Sequence, residues 1–228
     1  MLAQQKPNIK GFSLIELLVV LALIGVIAGI GFPKFATWSM ERKIRSQSEK
    51  IGTYITSAVS QVERGSYPYV QIKFSSNNNI YKVVTKALPQ EKFSLALNQG
   101  KTLECSDTNF NSSNGGIELL NENLIEEVTI FPSASGDSGK DTFSICFSKG
   151  GKYFKKTGKA VGVGGVNFEG GTTTSSTNYL VICSSGTACN PASTPVALDK
   201  FTYGIKYSRF GLIEKYKWSD VKKKWRSR

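Results

Sequence analysis

One acidic residue stands inside a long apolar run near the start of the sequence. Residues 12–32 (FSLIELLVVLALIGVIAGIGF) are apolar or glycine apart from Ser13 and Glu16. A carboxylate in a membrane helix costs up to about 2.5–3.5 kcal/mol at the bilayer centre and less near the interface, so such a residue usually has a function. Glu16 therefore needs a cation as its partner. Gly11, directly before the run, has the small size typical of a cleavage site.

The rest of the sequence offers little for catalysis. It contains no histidine, which removes the commonest general base and metal ligand. No nucleophile with a paired base is visible in the sequence. We therefore expect no enzymatic activity, no metal site, no cofactor and no small-molecule substrate. An exported enzyme that acts through a pair of carboxylates is the alternative.

Four cysteines are available for disulfides. They allow three pairings and include no CxxC pair, and an even number is typical of an oxidising compartment such as a periplasm or cell exterior. Free buried thiols are the alternative, and the sequence does not choose between the pairings. The cysteines are Cys105, Cys146, Cys183 and Cys189.

The formal net charge of +12 lies mostly at the two ends of the chain. Residues 1–50 hold seven basic and three acidic residues, and residues 199–228 hold ten and three, whereas the middle is nearly neutral. The closing cations form a basic tail over residues 222–228. They are Lys222, Lys223, Lys224, Arg226 and Arg228.

This basic tail has three interpretations. Its cations could bind phosphates while the indole rings of Trp218 and Trp225 stack on exposed bases, which would make it a nucleic-acid site. A Lys-rich end is also typical of a frayed, solvated terminus. The third interpretation is attraction to an anionic membrane surface.

The apolar run is long enough to cross a membrane. At about 1.5 Å per residue in a helix, residues 12–32 cover a bilayer core of about 30 Å. Lys6 and Lys10 precede the run, and this position favours a cytoplasmic N-terminus and an exported remainder. An ordinary secretory signal is cut after its apolar core, whereas Gly11 comes before it. A plain signal anchor with an accidental Glu16 is the alternative.

A second, amphipathic stretch continues the helix. Apolar or small residues recur every three or four positions, with charged residues mostly between them. The recurring residues are Ile44, Ser48, Ile51, Ile55, Ala58 and Val62. The pattern predicts a helix over residues 12–64, roughly 80 Å long, that ends at Gly65 and Pro68. Its first half faces lipid, and its second half packs under a sheet.

The remainder of the chain is typical of antiparallel strands separated by turns. Short runs, several of them alternating apolar with polar residues, are bounded by Gly, Asn, Ser and Pro. We predict strands over residues 69–74, 80–85, 93–97, 127–131, 142–147, 179–183 and 201–207. Turns or loops are predicted over residues 75–79, 133–140 and 162–176. The fold class is therefore α+β, with a long N-terminal transmembrane helix packed on an antiparallel β-sheet head.

The start of the sequence resembles the recognition motif of type IV prepilins. The resemblance covers residues 10–16 (KGFSLIE), and Pro33 falls where that family commonly has a proline. It implies that a membrane peptidase cuts after Gly11 and that the new N-terminal residue, Phe12, is methylated. It also implies that Glu16 pairs with the N-terminal amine of a neighbouring subunit during assembly, and that Pro33 kinks or locally melts the helix.

This resemblance also implies an organisation and a location. The leader covers residues 1–11, the transmembrane half of the helix 12–33, the amphipathic half 34–64, and the β-rich head with its basic tail 65–228. The protein would cross the bacterial inner membrane once, with a cytoplasmic N-terminus and a periplasmic head, and then join an extracellular or periplasmic filament. Its partners would be prepilin peptidase and methyltransferase, the inner membrane and other pilin subunits.

The head is similar to GspH/FimT-type minor pilins and pseudopilins over residues 127–149 and 205–218. The similarity implies a structural or assembly subunit, either a minor type IV pilin or a type II secretion pseudopilin. Some members bind DNA through a Gly-Arg-x-Arg pattern, but here Gly211 is followed by Leu212 and, two positions later, Glu214. A minor pilin that binds DNA through the basic tail, for uptake in natural transformation, is the alternative.

Overall fold

The computed structural model describes most of the chain. The described residues are 13–77, 80–101, 103–106, 110–123, 128–132, 142–157, 168, 178–184 and 198–228. The chain divides into two compact units, Met1–Arg42 and Lys43–Arg228. The first helix begins in the first unit and ends in the second.

Helix α1 runs over Leu14–Glu63, which confirms the long helix predicted from the sequence. It ends in a Schellman motif, in which the N–H of Ser66 donates to the carbonyl of Gln61 and the N–H of Gly65 donates to that of Val62. Gly65 has a φ of 76°, a left-handed conformation that glycine adopts without strain. The helix thus ends at the glycine that the sequence indicates.

The part of α1 in the first unit exposes large apolar side chains. Leu14 is 77% exposed and Ile27 is 70% exposed, a surface that water does not favour. By length and composition, no single helix in the described ranges is sufficient to cross a membrane. Leu14–Gly29 and Lys34–Glu63 pass that test together as a pair joined at a bend of 45°, and Pro33 lies in the break between them.

After α1 the chain forms strands and one longer helix among the residues that the structure describes. Their bounds are β1 Tyr69–Asn77, β2 Ile80–Leu88, α2 Gln90–Asn98, β3 Ile117–Asn123, β4 Val128–Pro132, β5 Thr142–Ser148, β6 Lys155–Thr157, β7 Tyr179–Ser184, β8 Tyr203–Tyr207, β9 Ile213–Ser219 and β10 Lys224–Ser227. The pairing is antiparallel, as predicted, but the strands form two sheets instead of one. The first sheet has the order β3-β2-β1-β5-β6, and the second has the order β10-β9-β8-β7-β4.

The prediction of a strand over residues 93–97 is wrong, because this segment lies in α2. The helix follows Pro89, whose backbone is extended, and its Gln, Glu, Lys, Leu and Ala residues are good helix formers. Phe93 and Ala96, three positions apart, contact the same core cluster. Helical spacing therefore decides the structure here, although the alternation in FSLAL favoured a strand.

The other predicted strands are confirmed, with differences at their ends. β1 continues to Asn77 and pairs there with Ile80, so residues 75–77 lie in the strand and not in the predicted turn. Strands β3, β6, β9 and β10 come in addition to the predicted set. The predicted loops over 133–140 and 162–176 lie outside the described residues, apart from Phe168.

The second half of α1 forms part of the head core. The six residues of the predicted apolar stripe are each at most 3% exposed: Ile44, Ser48, Ile51, Ile55, Ala58 and Val62. Full burial of an aliphatic side chain stabilises a fold by about 1.5–3 kcal/mol. The stripe therefore holds α1 under the sheets, as the sequence predicts.

Two further apolar clusters complete the core. One surrounds Tyr69 and includes Phe93 of α2 and the cysteine pair Cys105 and Cys146. The other is formed by Phe168, Tyr179, Val181, Cys183, Leu198, Tyr216, Trp218 and Trp225. A Cβ atom on Gly204 would lie 2.2 Å from Cε1 of Phe168. Glycine at this position therefore lets the Phe168 ring pack directly on β8.

Candidate assembly and interaction sites

The candidate processing and assembly site at the N-terminus is described in part. Gly11 and Phe12 lie outside the described residues. Glu16 lies in the first turn of α1, and its side chain is exposed. The first turn of a helix favours a negative charge because its backbone N–H groups are unpaired. The Glu16 carboxylate is therefore compatible with the helix and accessible to a cation from a partner.

Residues 224–227 of the basic tail form an edge strand, and the interpretation of the tail as a frayed terminus is wrong. Lys224–Ser227 form β10, which pairs with β9. Trp225 lies opposite Trp218, both side chains are buried, and their ring centroids are 5.5 Å apart. The N–H of Arg228 donates to the carbonyl of Lys215 at 3.0 Å. Because the Trp225 indole packs in the core, it does not offer a face on which a base could stack.

The cations of β10 share one face with cations of β9. Residues directly opposite each other in an antiparallel pair point to the same face of the sheet. Arg226 lies opposite Lys217, and Arg228 extends the strand beside Lys215. Lys224, two residues before Arg226, lies on the same face. The sequence analysis missed Lys215 and Lys217, although their period-two spacing in KYKW is the signal that places them together.

Several of these charges already have neighbours within the head. Lys215 forms an ion pair with Glu49 of α1. The side chains of Lys217 and Arg228 lie over the ring of Tyr203, at 5.9 and 5.7 Å from its centroid, where a cation is attracted by the ring face. These contacts hold the basic face in place against α1 and β8.

A groove separates the end of the basic face from α1. It has a volume of about 360 Å³, and Thr53 and Thr56 line it on the α1 side while Lys215 and Arg228 line it on the sheet side. Glu214 also lines the groove. The Tyr216 hydroxyl donates a hydrogen bond of 2.8 Å to its carboxylate. This hydrogen bond, together with a second one from Lys206, lowers the pKa of the Glu214 carboxyl. The groove is therefore lined by both negative and positive charges.

The N-terminal motif is the part of the chain that corresponds to a known family. Residues 6–32 match the family model of the prokaryotic N-terminal methylation motif. This motif is the signal of type IV prepilin-like proteins. It indicates a type IV pilin-like protein that is processed by prepilin peptidase, anchored in the inner membrane and assembled with other pilin subunits. The match includes Gly11, Phe12 and Glu16.

The head has no counterpart in the other comparisons. No curated protein and no solved structure matches the chain. The family match ends at residue 32, so it does not extend to the two sheets.

Two of the cysteines of the head are paired with each other. Cys105 and Cys146 form a disulfide, which chooses one of the pairings that the sequence left open. Cys183 is also disulfide-bonded, and Cys189 lies outside the described residues. Within the described ranges, no group of three or more Cys, Asp or Glu side chains is placed to hold a metal ion.

Proposed function

We propose that this chain is a structural subunit of a pilus-like filament, either a minor type IV pilin or a type II secretion pseudopilin. The observation that carries the proposal is the match of residues 6–32 to the N-terminal methylation motif. In this role the peptidase cuts after Gly11, Phe12 becomes the methylated N-terminal residue, and the apolar half of α1 anchors the subunit in the inner membrane. The protein acts by assembly and not by catalysis.

The structure supports this role through the two different surfaces of α1. The half before residue 30 exposes apolar side chains that suit lipid or the apolar helices of neighbouring subunits. One face of the half after Lys43 is buried under the sheets of the head. Glu16 stands in the apolar half, and the new amine at Phe12 of a neighbouring subunit is a cation that would neutralise it. Assembly then replaces a costly charge in lipid with an ion pair.

Two substitutions test this role. Gly11→Val should block cleavage, because a bulky residue before the cut no longer fits the small-residue requirement, and the protein should migrate as the longer precursor on a gel. Gly25→Ala is the matched control, since a Cβ atom at Gly25 has no neighbour within 4 Å. Glu16→Ala should be cleaved normally but enter filaments poorly. Normal trimming of Gly11→Val would contradict the proposal.

A second candidate function is DNA binding by a minor pilin for uptake in natural transformation. The observation that favours it is the shared face of Lys215, Lys217, Lys224, Arg226 and Arg228. A row of cations on a β-ribbon can follow a phosphate backbone without reading its sequence. The burial of Trp225 removes base stacking from this mechanism, so binding would be purely electrostatic.

The DNA function predicts a steep dependence on salt. Changing Lys224, Arg226 and Arg228 of this shared face to Gln should reduce DNA retention by the full-length protein. It should also lower the slope of affinity against salt by about 0.9 for each phosphate that the protein no longer neutralises. Changing the exposed residues Lys101 and Lys149 to Gln is the control and should leave retention unchanged. Equal retention by both variants would rule out the tail as a DNA site.

A further inference from the structure

The part of α1 that follows the apolar run is exposed and carries both aromatic and basic side chains. Phe35 is 62% exposed and Trp38 is 54% exposed, and the side chains of Lys34 and Arg42 are exposed as well. All four residues belong to the first compact unit, which ends at Arg42. The buried stripe of the head begins at Ile44. The four residues are therefore part of neither the apolar run nor the core of the head.

These four residues lie on one face of the helix. Trp38 comes four positions after Lys34, three after Phe35 and four before Arg42, and residues at these spacings are neighbours on a helix surface. The ring centroids of Phe35 and Trp38 are 5.7 Å apart. The Arg42 guanidinium lies over the Trp38 ring, 5.3 Å from its centroid, where a cation is attracted by the ring face. We call this surface, formed by Lys34, Phe35, Trp38 and Arg42, the aromatic-basic face.

The charge of this part of the chain is positive. Residues 17–33 contain no charged residue, whereas residues 34–45 contain four basic residues and one acidic residue, Glu41. Within the described ranges, neither Lys34 nor Arg42 forms an ion pair. The aromatic-basic face therefore offers two cations to an anion from outside the chain.

The length of the uncharged stretch places this face at a membrane surface. The helix covers about 27 Å from Glu16 to Lys34, close to the thickness of about 30 Å of a hydrocarbon core. The N-terminal motif anchors this stretch in the inner membrane, so Lys34 stands where the helix leaves the core, at the end opposite Gly11. The headgroup layer beyond the core is about 5–7 Å thick, and Trp38 is about 6 Å further along the helix than Lys34. Trp38 therefore falls in the layer that aromatic rings favour.

Both cations reach the level of Trp38. The backbone of Arg42 is about 12 Å beyond that of Lys34, but its side chain extends back to the Trp38 ring, since side chains in a helix lean toward its N-terminus. Lys34 stands at the edge of the hydrocarbon core, where its long stem can keep the ammonium group in the headgroup layer. Two cations and two aromatic rings are thus available at the depth of the lipid phosphates.

We propose that the aromatic-basic face binds an anionic phospholipid, with Lys34 and Arg42 at the headgroup phosphate and the rings of Phe35 and Trp38 against the upper part of the acyl chains. A guanidinium forms strong, charge-assisted hydrogen bonds with phosphate, and an anionic membrane surface attracts each basic residue beside it. The inference rests on the proposed function, which anchors the apolar run in the membrane. It deepens that function, because the bound lipid fixes the depth of the subunit before assembly.

Fluorescence quenching by brominated phospholipids tests this contact. The full-length protein is placed in phosphatidylcholine vesicles that contain a small fraction of brominated phosphatidylglycerol or, in a parallel sample, of brominated phosphatidylcholine. Bromine quenches an indole only at short range, and the signal of Trp38→Phe, which keeps Trp218 and Trp225, is subtracted to isolate Trp38. We expect the anionic lipid to quench Trp38 more strongly than phosphatidylcholine. Bromines near the headgroup should quench it more strongly than bromines deep in the chains.

Three double variants separate charge from structure. Lys34→Gln with Arg42→Gln should lower the preference for phosphatidylglycerol by about fivefold for each cation, and so by about 25-fold for both. Lys34→Arg with Arg42→Lys keeps both charges and should keep the preference. Lys101→Gln with Lys149→Gln removes the same charge from exposed positions of the head and should behave like the parent.

Three results would overturn the proposal. The first is equal quenching of Trp38 by the two lipids in the parent, and the second is an unchanged preference in Lys34→Gln with Arg42→Gln. The third is the absence of quenching by either lipid although the protein floats with the vesicles. That result would show that protein covers the face, such as α1 of a second copy.

Flotation and the intact mass of the same samples distinguish this inference from the proposed function. A protein that does not float with vesicles would overturn both. A protein that floats and is cleaved after Gly11, but shows no lipid preference, would overturn the lipid contact alone. A protein that prefers phosphatidylglycerol but keeps residues 1–11 would contradict the filament role alone.

Discussion

Gly211 lies so close to Val59 that a Cβ atom added to it would be 2.5 Å from Cγ2 of Val59. The backbone of Gly211 also has a φ of 78°, which residues other than glycine adopt only with strain. The turn between β8 and β9 therefore rests directly on α1 of the head. This contact helps to fix β9, and through it the basic edge strand β10, relative to α1.

Gly211→Ala should destabilise the head by about 2–4 kcal/mol, because backbone strain and overpacking add. Gly65→Ala is the matched control, since Gly65 has a similar φ of 76° but no atom within 4 Å of an added Cβ. The difference between the two melting temperatures measures the clash with Val59. Equal losses in both variants would contradict this close contact.

Trp225→Ala should lower the free energy of unfolding by about 3–5 kcal/mol, because it removes a large buried ring from the cluster around Trp218. Val221→Ala, at a side chain that is 94% exposed, should change stability by less than about 0.5 kcal/mol. Urea unfolding of the detergent-purified protein measures both. If Trp225→Ala changed stability as little as Val221→Ala, the burial of Trp225 would be contradicted and the frayed terminus suggested by the sequence would be the better description of the tail.

The sequence predicts the helices and strands of this fold better than it predicts which strands pair with each other. The helix is visible because its apolar residues keep one spacing from Ile44 to Val62. The pairing of β10 with β9 is not visible, because a run of lysines indicates solvent exposure whether or not Trp225 between them is buried. Only the alternation in KYKW and KWR, compared across the turn, contains the register in which Trp218 faces Trp225.

The disulfide between Cys105 and Cys146 closes a separation of 41 residues. It ties the segment after α2 to β5, and loss of such a link costs about 3–4 kcal/mol through the entropy of the unfolded chain. Cys105→Ser with Cys146→Ser should therefore melt at a temperature lower by roughly 6–16 °C, at about 2–4 °C for each kcal/mol. A shift of less than about 2 °C would show that the link adds little.

Tyr69 is buried, and its hydroxyl has no hydrogen-bond partner among the described residues. Burial disfavours the phenolate and raises the pKa of Tyr69 above its ordinary value of 10.0. Below pH 10 the phenol is neutral in both the folded and the unfolded state, and the shift does not change stability. As the pH rises from 10 toward the higher pKa of the folded state, the unfolded state loses its proton first, and the free energy of unfolding falls. The protein should thus lose stability in alkali partly through this residue.

Tyr69→Phe should match the parent at pH 7 or exceed its stability by up to about 1 kcal/mol, because an unpaired buried hydroxyl is removed. Above pH 10 its stability should fall less steeply than that of the parent. Urea unfolding at pH 7 and pH 11 compares the two, with Tyr67→Phe as the control for loss of a phenol. If the variant and the parent lose the same stability in alkali, the buried Tyr69 phenol is not the cause.

The candidate sites, like the fold, have parts that local sequence predicts and parts that depend on long-range pairing. The N-terminal motif depends on local spacing, so Gly11, Phe12, Glu16 and Pro33 could be named from the sequence. The basic face depends on register, so Lys215 and Lys217 were missed. The disulfide partners could not be chosen, because the β1–β5 pairing that sets Cys146 opposite Gln71 joins distant parts of the chain, and the Gln71 amide contacts Cys105. Local signals are readable, whereas long-range pairing needs the fold.

The most direct test of the filament role is the intact mass of the mature protein extracted from bacterial membranes that contain a prepilin peptidase. The filament role predicts a chain that begins at Phe12 and carries one methyl group on its N-terminal amine. A mature protein that still begins at Met1, with residues 1–11 attached and no methyl group, would contradict it.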